Sequence, residues 1–550
     1  MKCLYDMIRD HRLVYFYLMN IVSSLLFLYS GQTNLFLILT VSALFAFIEN
    51  GIVIVATFHF LKNIVFFVFS LFLNVVIVVD AFLIYKFARV LDVEILDTIL
   101  ATNRVEAGEF VETYISVPLI LLFLVLLLGV NCGILKASKL LVKFVYVRRI
   151  LMALCVIAIA IYGYHTFAFI FNKKEPRLAL TQQNALPRIV YTWYLATYDE
   201  HIGDILHICE TVSAIRTQKS PEKLIVVIGE SFSIAHSSLY GYEKETSPLL
   251  DERRRKGEIT VYKDVVSVAD ITYTAMKSIF SLDSLGTDFY SSPLFPACFR
   301  AAGFYSAMYD NEYLVDDVAF HGRFILANQR LSEVLFDYRN SETYTYDGDM
   351  VEEITQKRDV PVLYVVHLWG QHPVYEKRYP ENFKKFVASD YTNTRLTAAQ
   401  REIVANYDNA TLYNDYVVNE IIKKFEGDDC CLVYFSDHGE ELFENQDYYG
   451  HGTAASSLDL RYQIRVPLLV WTSDKFKERN PNMVDLLREQ QDVPIITDDI
   501  SHFLLKIGGI MSSCYNPQRC FIDTQYNRNK PRIVLSGIDY DVYKSSLPSK

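Results

Sequence analysis

Five long apolar runs occupy the first third of this sequence and restrict its fold more than any other feature. They are Leu13–Tyr29, Leu35–Ala56, Ile64–Tyr85, Val117–Leu135 and Ile150–Phe171. A helix needs about 20 mostly apolar residues to cross the hydrocarbon core of a bilayer. Each run therefore predicts a membrane-spanning helix. The first lacks the small-residue cleavage site of a signal peptide, and further spans follow it. Basic residues set the orientation. Lys2, Arg9 and Arg12 precede the first run, and Lys136, Lys139, Lys143, Arg148 and Arg149 separate the fourth from the fifth. Both groups belong in the cytoplasm, and five crossings then put everything after Phe171 outside. The loop Phe87–Tyr114 falls on that outer side, with an amphipathic helical stretch from Leu96 to Ala107.

The remaining sequence is charged and carries the prolines of a soluble fold. The domains expected are a transmembrane bundle over 1–172 with its outer loop 87–114, a linker or bridging helix over 173–215, and a soluble domain over 216–550. The formal charge of -11 disfavours nucleic acid, which would need clustered Lys and Arg. Of nine Cys, six lie in the soluble part (Cys209, Cys298, Cys430, Cys431, Cys514, Cys520). An even count is compatible with disulfides outside the cytoplasm, and Cys514 with Cys520 could close a small loop. The absence of a CxxC pair argues against a cysteine zinc site.

Four short runs in the soluble part read as buried strands: Leu224–Ile228, Val362–Val366, Leu432–Phe435 and Pro467–Trp471. Being apolar on both faces, they fit parallel strands covered by helices. Tyr407–Lys424 has helical periodicity between them. Sites in such α/β sheets form beyond the carboxyl ends of the strands. The first run leads into Gly229-Glu230-Ser231, the second into His367 and then Gly370-Gln371-His372, and the third into Ser436-Asp437-His438-Gly439-Glu440, with His451-Gly452 shortly after. One polar strand end is commonplace. Three that deliver Glu, His and Asp-His to one edge are what Zn²⁺ takes as ligands. Ser231, Thr272 and Thr274 are candidate hydroxyl nucleophiles, and spacing does not choose among them.

In this order and spacing the motifs resemble the phosphoethanolamine transferases of Gram-negative inner membranes, in the alkaline phosphatase and sulfatase superfamily. The resemblance takes in the five-span region, Gly229-Glu230-Ser231, Ser238-Leu239-Tyr240-Gly241-Tyr242, Thr246-Ser247-Pro248, His367 to His372, Arg378-Tyr379-Pro380, Ser436 to Glu440 and His451-Gly452-Thr453. The Leu-Tyr-Gly-Tyr form is similar to members acting on lipopolysaccharide core.

The resemblance implies an α-helical transmembrane bundle joined to a sulfatase-like α/β domain with a mostly parallel sheet. It implies one or two Zn²⁺, held by Glu230, Thr272, Asp437 and His438, with Thr272 as nucleophile. Thr274 stays an alternative, because Ala269-Asp270-Ile271 replaces the His or Cys-Gly that relatives often carry before the threonine. His372, His451 and His367 correspond to residues holding a second metal or the phosphoryl group. Thr102 and Glu106 match a Thr-x-x-x-Glu pair that binds the ethanolamine end, although Thr98 stands where relatives often have Asn. The implied donor is phosphatidylethanolamine and the implied acceptor a lipopolysaccharide or lipid A glycolipid.

Two other readings share the fold, a phosphoglycerol transferase and a phosphodiesterase. A sulfatase in the strict sense is disfavoured, since no Cys-x-Pro-x-Arg maturation motif is present. A membrane-anchored binding protein would not need the intact Glu, Asp, His and Thr set.

Overall fold

The computed structural model describes residues 8–28, 35–55, 59–87, 89–172, 184–185, 188–190, 193, 202–283, 291–314, 328–356, 359–445, 447–453, 459–535 and 537–547. Much of the expected linker 173–215 lies outside them. Two compact units emerge, Met1–Ile99 with Tyr114–Tyr198, and Leu100–Thr113 with Asp199–Lys550.

The first unit is built from α1 (His11–Leu28), α2 (Leu35–Val55), α3 (His59–Phe87), α6 (Val117–Leu141) and α7 (Val145–Asn172). Leu13, Phe16, Met19, Ala46 and Leu73 pack in its centre, whereas Phe60, Phe67, Val125 and Leu128 face outward. An apolar exterior is what lipid demands, since it offers no water to polar groups. Four stretches are long and apolar enough to span: Leu35–Val55, Phe60–Phe87, Val117–Leu141 and Val145–Tyr162. The first of the five expected spans does form a helix, α1, but is not among the four. His11, Arg12, Asn20, Ser23 and Ser24 dilute its apolar run.

The segment expected as the outer loop folds as two helices, α4 (Val93–Ala101) and α5 (Arg104–Tyr114). The sequence pattern suggested one continuous stretch. Asn103 breaks it: its side-chain oxygen accepts from the N–H groups of Val105 (2.9 Å) and Glu106 (3.0 Å), capping α5.

The second unit centres on a seven-stranded sheet. In chain order its strands are β1 (Lys223–Gly229), β2 (Ile259–Val261), β3 (Tyr305–Asp310), β4 (Tyr338–Arg339), β5 (Val362–His367), β6 (Cys430–Ser436) and β7 (Leu468–Thr472), arranged β2-β7-β6-β1-β5-β3-β4. β1 runs parallel to both β5 and β6, with Ile228 opposite His367 and Gly229 opposite Ser436. This register brings three carboxyl ends to one edge. β3 extends the parallel set, with Asp310 opposite His367. β7, expected parallel, is antiparallel to β6 and to β2. An apolar run reports burial of both faces, not strand direction.

One face of the sheet is covered by α9 (Ala398–Phe425), whose Val417, Val418, Ile421 and Ile422 pack against Ile225, Val227 and Tyr364. Its start is fixed by a capping box between Thr397 and Gln400. The other face is covered by a larger cluster that includes α8 (Thr272–Phe280). The eight described cysteines are free thiols. Cys209, Cys298, Cys430, Cys431 and Cys520 are buried in the hydrophobic clusters as small apolar side chains, and Cys514 and Cys520 do not form the loop-closing bridge that their spacing allowed.

Candidate active site

Four donor groups converge where β1, β6 and α8 meet. Glu230 follows β1, Asp437 and His438 follow β6, and Thr272 opens α8. His438 Nε2 lies 3.2 Å from Glu230 Oε1, 3.2 Å from Asp437 Oδ2 and 3.4 Å from Thr272 Oγ1. Thr272 Oγ1 is 3.2 Å from Glu230 Oε2. Glu230, Asp437 and His438 are fully buried, and Thr272 nearly so. Thr274 lies about 200° further round the same helix at 3.6 residues per turn, so it faces away from the side that Thr272 presents.

The surroundings orient this set. Asp437 Oδ1 accepts from the backbone of His438 (2.7 Å) and Ser231 (3.3 Å), while Oδ2 has no hydrogen-bond partner among the described residues. His438 Nδ1 donates to the Gly439 carbonyl at 2.9 Å, which turns Nε2 toward the two carboxylates, where a bound metal would take its lone pair. Ser231 donates to Glu230 Oε1 at 2.8 Å from a backbone held at φ 57°. A non-glycine residue in that region is strained by about 1–3 kcal/mol. Gly370 (φ 51°) approaches so closely that an added Cβ would stand 2.7 Å from the Glu230 carbonyl oxygen.

Without a cation these charges conflict. Burial and the Glu230 charge push the Asp437 carboxyl well above the usual range. At Glu230, burial also acts upward, but His438 outweighs it and holds the group well below. At His438, burial acts downward and is outweighed by Asp437 and Glu230, which raise it to about 10. A divalent cation removes all three conflicts. A tetrahedron with arms of about 2.0–2.1 Å has edges of about 3.3–3.4 Å, close to the separations among these donors. The residues therefore fit zinc.

A second group lies alongside. His367 is fully buried, with Nδ1 2.9 Å from Asp310 Oδ1 and Nε2 3.3 Å from Glu312 Oε2. Glu312 falls within ligand range both of Glu230 with His367 and of Glu106 with His372. Burial, then the neighbouring Glu230 and Glu106 charges, push Glu312 well above the ordinary range. Among the described residues neither Glu312 carboxylate oxygen has a hydrogen-bond partner. The α5 residues complete the group. The Asn103 side chain donates to the Glu312 carbonyl at 3.0 Å, and Glu109 pairs with Arg378 while lying 3.6 Å from His372 Nδ1. The Arg378 guanidinium stacks 4.2 Å over Trp369.

His451 bridges the two groups. Its Nδ1 is 2.8 Å from Glu440 Oε2 and 3.5 Å from Ser231 Oγ, and its ring centroid is 4.3 Å from that of His438. Glu440 is held in turn by the Tyr375 hydroxyl at 2.5 Å.

Every site residue expected from the sequence is described; Thr102 precedes Asn103 and is half-buried. Glu312, Glu109 and Glu440 were not assigned from sequence. Glu440 sat inside a recognised motif, and Glu109 lies one helical turn from Glu106, on the same face of α5. Glu312 follows a fourth parallel strand, β3, which the sequence reading had not identified.

Comparison with known proteins gives a consistent picture. The Sulfatase family model matches residues 222–510, more than half of the chain. The phosphoethanolamine transferase EptC of Escherichia coli strain K12 is 26% identical over 479 residues, covering 81% of each chain. The zinc complex of the C-terminal periplasmic domain of EptC from Escherichia coli superposes with a TM-score of 0.53 at 27% identity, covering 61% of this chain and 96% of that one. The integral membrane lipooligosaccharide phosphoethanolamine transferase A from Neisseria meningitidis superposes with a TM-score of 0.59 over 94% of this chain and 98% of that one. At 18% identity, that last match speaks for the fold alone.

Proposed function

The chain belongs to the sulfatase family, and on that premise we propose that it transfers phosphoethanolamine from phosphatidylethanolamine to a cell-surface glycolipid, lipopolysaccharide core or lipid A. The observation that carries this reading is the Thr272 hydroxyl set within 3.2–3.4 Å of Glu230 and His438. The named activity of the Escherichia coli relative supplies the group transferred. The enzyme would sit in the inner membrane with five spans, its N-terminus in the cytoplasm and this site in the periplasm.

Glu230, Asp437, His438 and Thr272 would hold zinc. When bound, zinc supplies charge that lowers the pKa of a hydroxyl and opposes negative charge on phosphoryl oxygens. Thr272 Oγ1 attacks the phosphorus of the donor, forming one P–O bond as the bond to diacylglycerol breaks. The Thr272 proton passes to the Glu230 side and ultimately to the leaving diacylglycerol oxygen. His451, held through Nδ1 by Glu440, presents Nε2 to the phosphoryl group. His372 and His367 hold the remaining oxygens or a second metal. Glu106 and Thr102 receive the ammonium end. The acceptor then attacks the phosphothreonine, restoring the Thr272 hydroxyl. Tethering to the membrane raises the effective concentration of a lipid donor.

Peptide mass spectrometry after incubation with phosphatidylethanolamine tests this. The peptide holding Thr272 should gain phosphoethanolamine in the wild type and not in Thr272→Ala or after chelation. An adduct that persists in Thr272→Ala would transfer the role to Ser231 or Thr274. An adduct formed from phosphatidylglycerol alone would favour the phosphoglycerol reading, and hydrolysis without any acceptor the phosphodiesterase reading.

A further inference from the structure

A cavity opens beside residues 233–241, the segment that follows Glu230 and Ser231. It measures about 670 Å³, within the usual range for ligand pockets. Its charged lining consists of Arg254, Lys263, Arg461 and Arg465, with no acid among the lining residues. That is exceptional on a chain of formal charge -11, and a concave surface of one sign concentrates ions of the other. Three of the four cations have partners beside the cavity: Arg254 with Asp251 (3.5 Å), Lys263 with Asp492 (2.9 Å) and Arg461 with Asp459 (2.5 Å). Arg465 has no acidic partner among the described residues, where it donates to the Lys263 carbonyl at 3.5 Å. Tyr240 and Tyr462 supply aromatic surface. Ser238 to Gly241, the motif that the reaction leaves without a role, forms part of the wall.

The cavity is tied mechanically to the reaction centre. The Gly439 N–H donates to the Gln463 carbonyl at 2.8 Å, next to Tyr462. A Cβ on Gly439 would stand 2.5 Å from the Tyr462 carbonyl and 3.1 Å from that of Arg465. The cavity wall is thus seated directly on the turn that follows Asp437 and His438.

We propose that this cavity binds a phosphorylated saccharide, a remote anionic sugar segment of the acceptor, and so selects acceptors by charge away from the transferring centre. Cations, hydroxyls and aromatic faces in one concavity suit a phosphorylated sugar better than they suit an apolar chain. The identification of the saccharide with the acceptor rests on the glycolipid reading above.

The test uses the full-length protein in detergent and isothermal titration. The probes are a phosphorylated lipopolysaccharide core oligosaccharide stripped of acyl chains, the same oligosaccharide dephosphorylated, inorganic phosphate, and phosphatidylglycerol micelles. The wild type should bind the phosphorylated oligosaccharide, with the dephosphorylated form at least about tenfold weaker. Arg465→Gln should lose about tenfold, and Arg254→Gln combined with it more. Lys263→Gln, on an exposed side chain, should weaken binding without touching the fold. Phosphatidylethanolamine adducts on Thr272 should form at wild-type rates in all three variants. Absence of binding, equal binding of the dephosphorylated sugar, or unchanged affinity in the variants would overturn the proposal. Equal occupancy by phosphate alone or by phosphatidylglycerol would overturn its saccharide part. Failure of the adduct in the wild type would instead strike at the transfer reading and leave the binding comparison standing.

Discussion

Two groups of buried acids and imidazoles stand side by side in this molecule, and they are built on different principles. Glu230, Asp437, His438 and Thr272 come from the ends of two neighbouring parallel strands and the first turn of one helix, and their donor atoms are 3.2–3.4 Å apart. Glu312, His367, Glu106 and His372 come from two other strand ends, a turn and helix α5, and include the 3.3 Å approach of His367 to Glu312. The first group is fixed by sheet register. The second depends on a helix supplied from between two membrane segments.

Removing a member of the first group should have the largest effect. Asp437→Ala should lose bound zinc, measured by elemental analysis, and lower transfer by at least about a thousandfold, since it abolishes metal and nucleophile activation together. Retained zinc with normal turnover would break the distinction between the groups. Glu109→Gln tests the second group. Transfer should fall by about 10–100-fold, as for partners that orient ligands, while zinc in the first group stays stoichiometric. Loss of that zinc would mean the two groups are one. Glu440→Gln should act more mildly, by about tenfold, through His451 alone.

The pH dependence sharpens the contrast further. In the metal-free protein Asp437, Glu312 and His438 all have folded pKa values raised above their unfolded ones, each against or with the burial described above. Such groups add stability that is fully present below their unfolded pKa and is lost as pH rises through the folded one. Glu230, held low, adds stability that is fully present above its unfolded pKa and is lost only as pH falls through the depressed folded one, so it is constant across this range. Chelated protein should therefore melt at a lower temperature at pH 8.5 than at pH 5.5. Zinc should flatten that slope by holding the carboxylates ionised. A flat slope without metal would contradict the charge conflict assigned to the first group.

The sequence revealed the first group more fully than the second for a physical reason. A continuous apolar run ending in Glu or Asp-His marks a buried strand and its functional edge, so Glu230, His367, Asp437 and His438 were all legible. Glu312 follows a strand, Tyr305–Asp310, whose Tyr-Ser-Ala-Met-Tyr-Asp composition does not form such a run. Glu109 needed the knowledge that Asn103 starts a new helix, which sets the phase of that helix and puts Glu106 and Glu109 on one face. The antiparallel direction of β7 and the free thiols are tertiary outcomes with no local signature.

The capping of α5 by Asn103, and the reach of that helix to Glu312 and Arg378, bear on how the protein is best produced for assay. A soluble fragment cut to begin after the last membrane helix would carry every donor of the first group and could still take up zinc. It would leave out Glu106, Glu109 and Glu112. Arg378 would keep its place over Trp369 but lose its ion pair with Glu109, His372 would lose the neighbouring Glu109, and Lys377 would lose the 2.8 Å contact with Glu112. Inhibitors selected against such a fragment would be fitted to a surface that lacks α5 and the carboxylates it brings to His372 and Arg378.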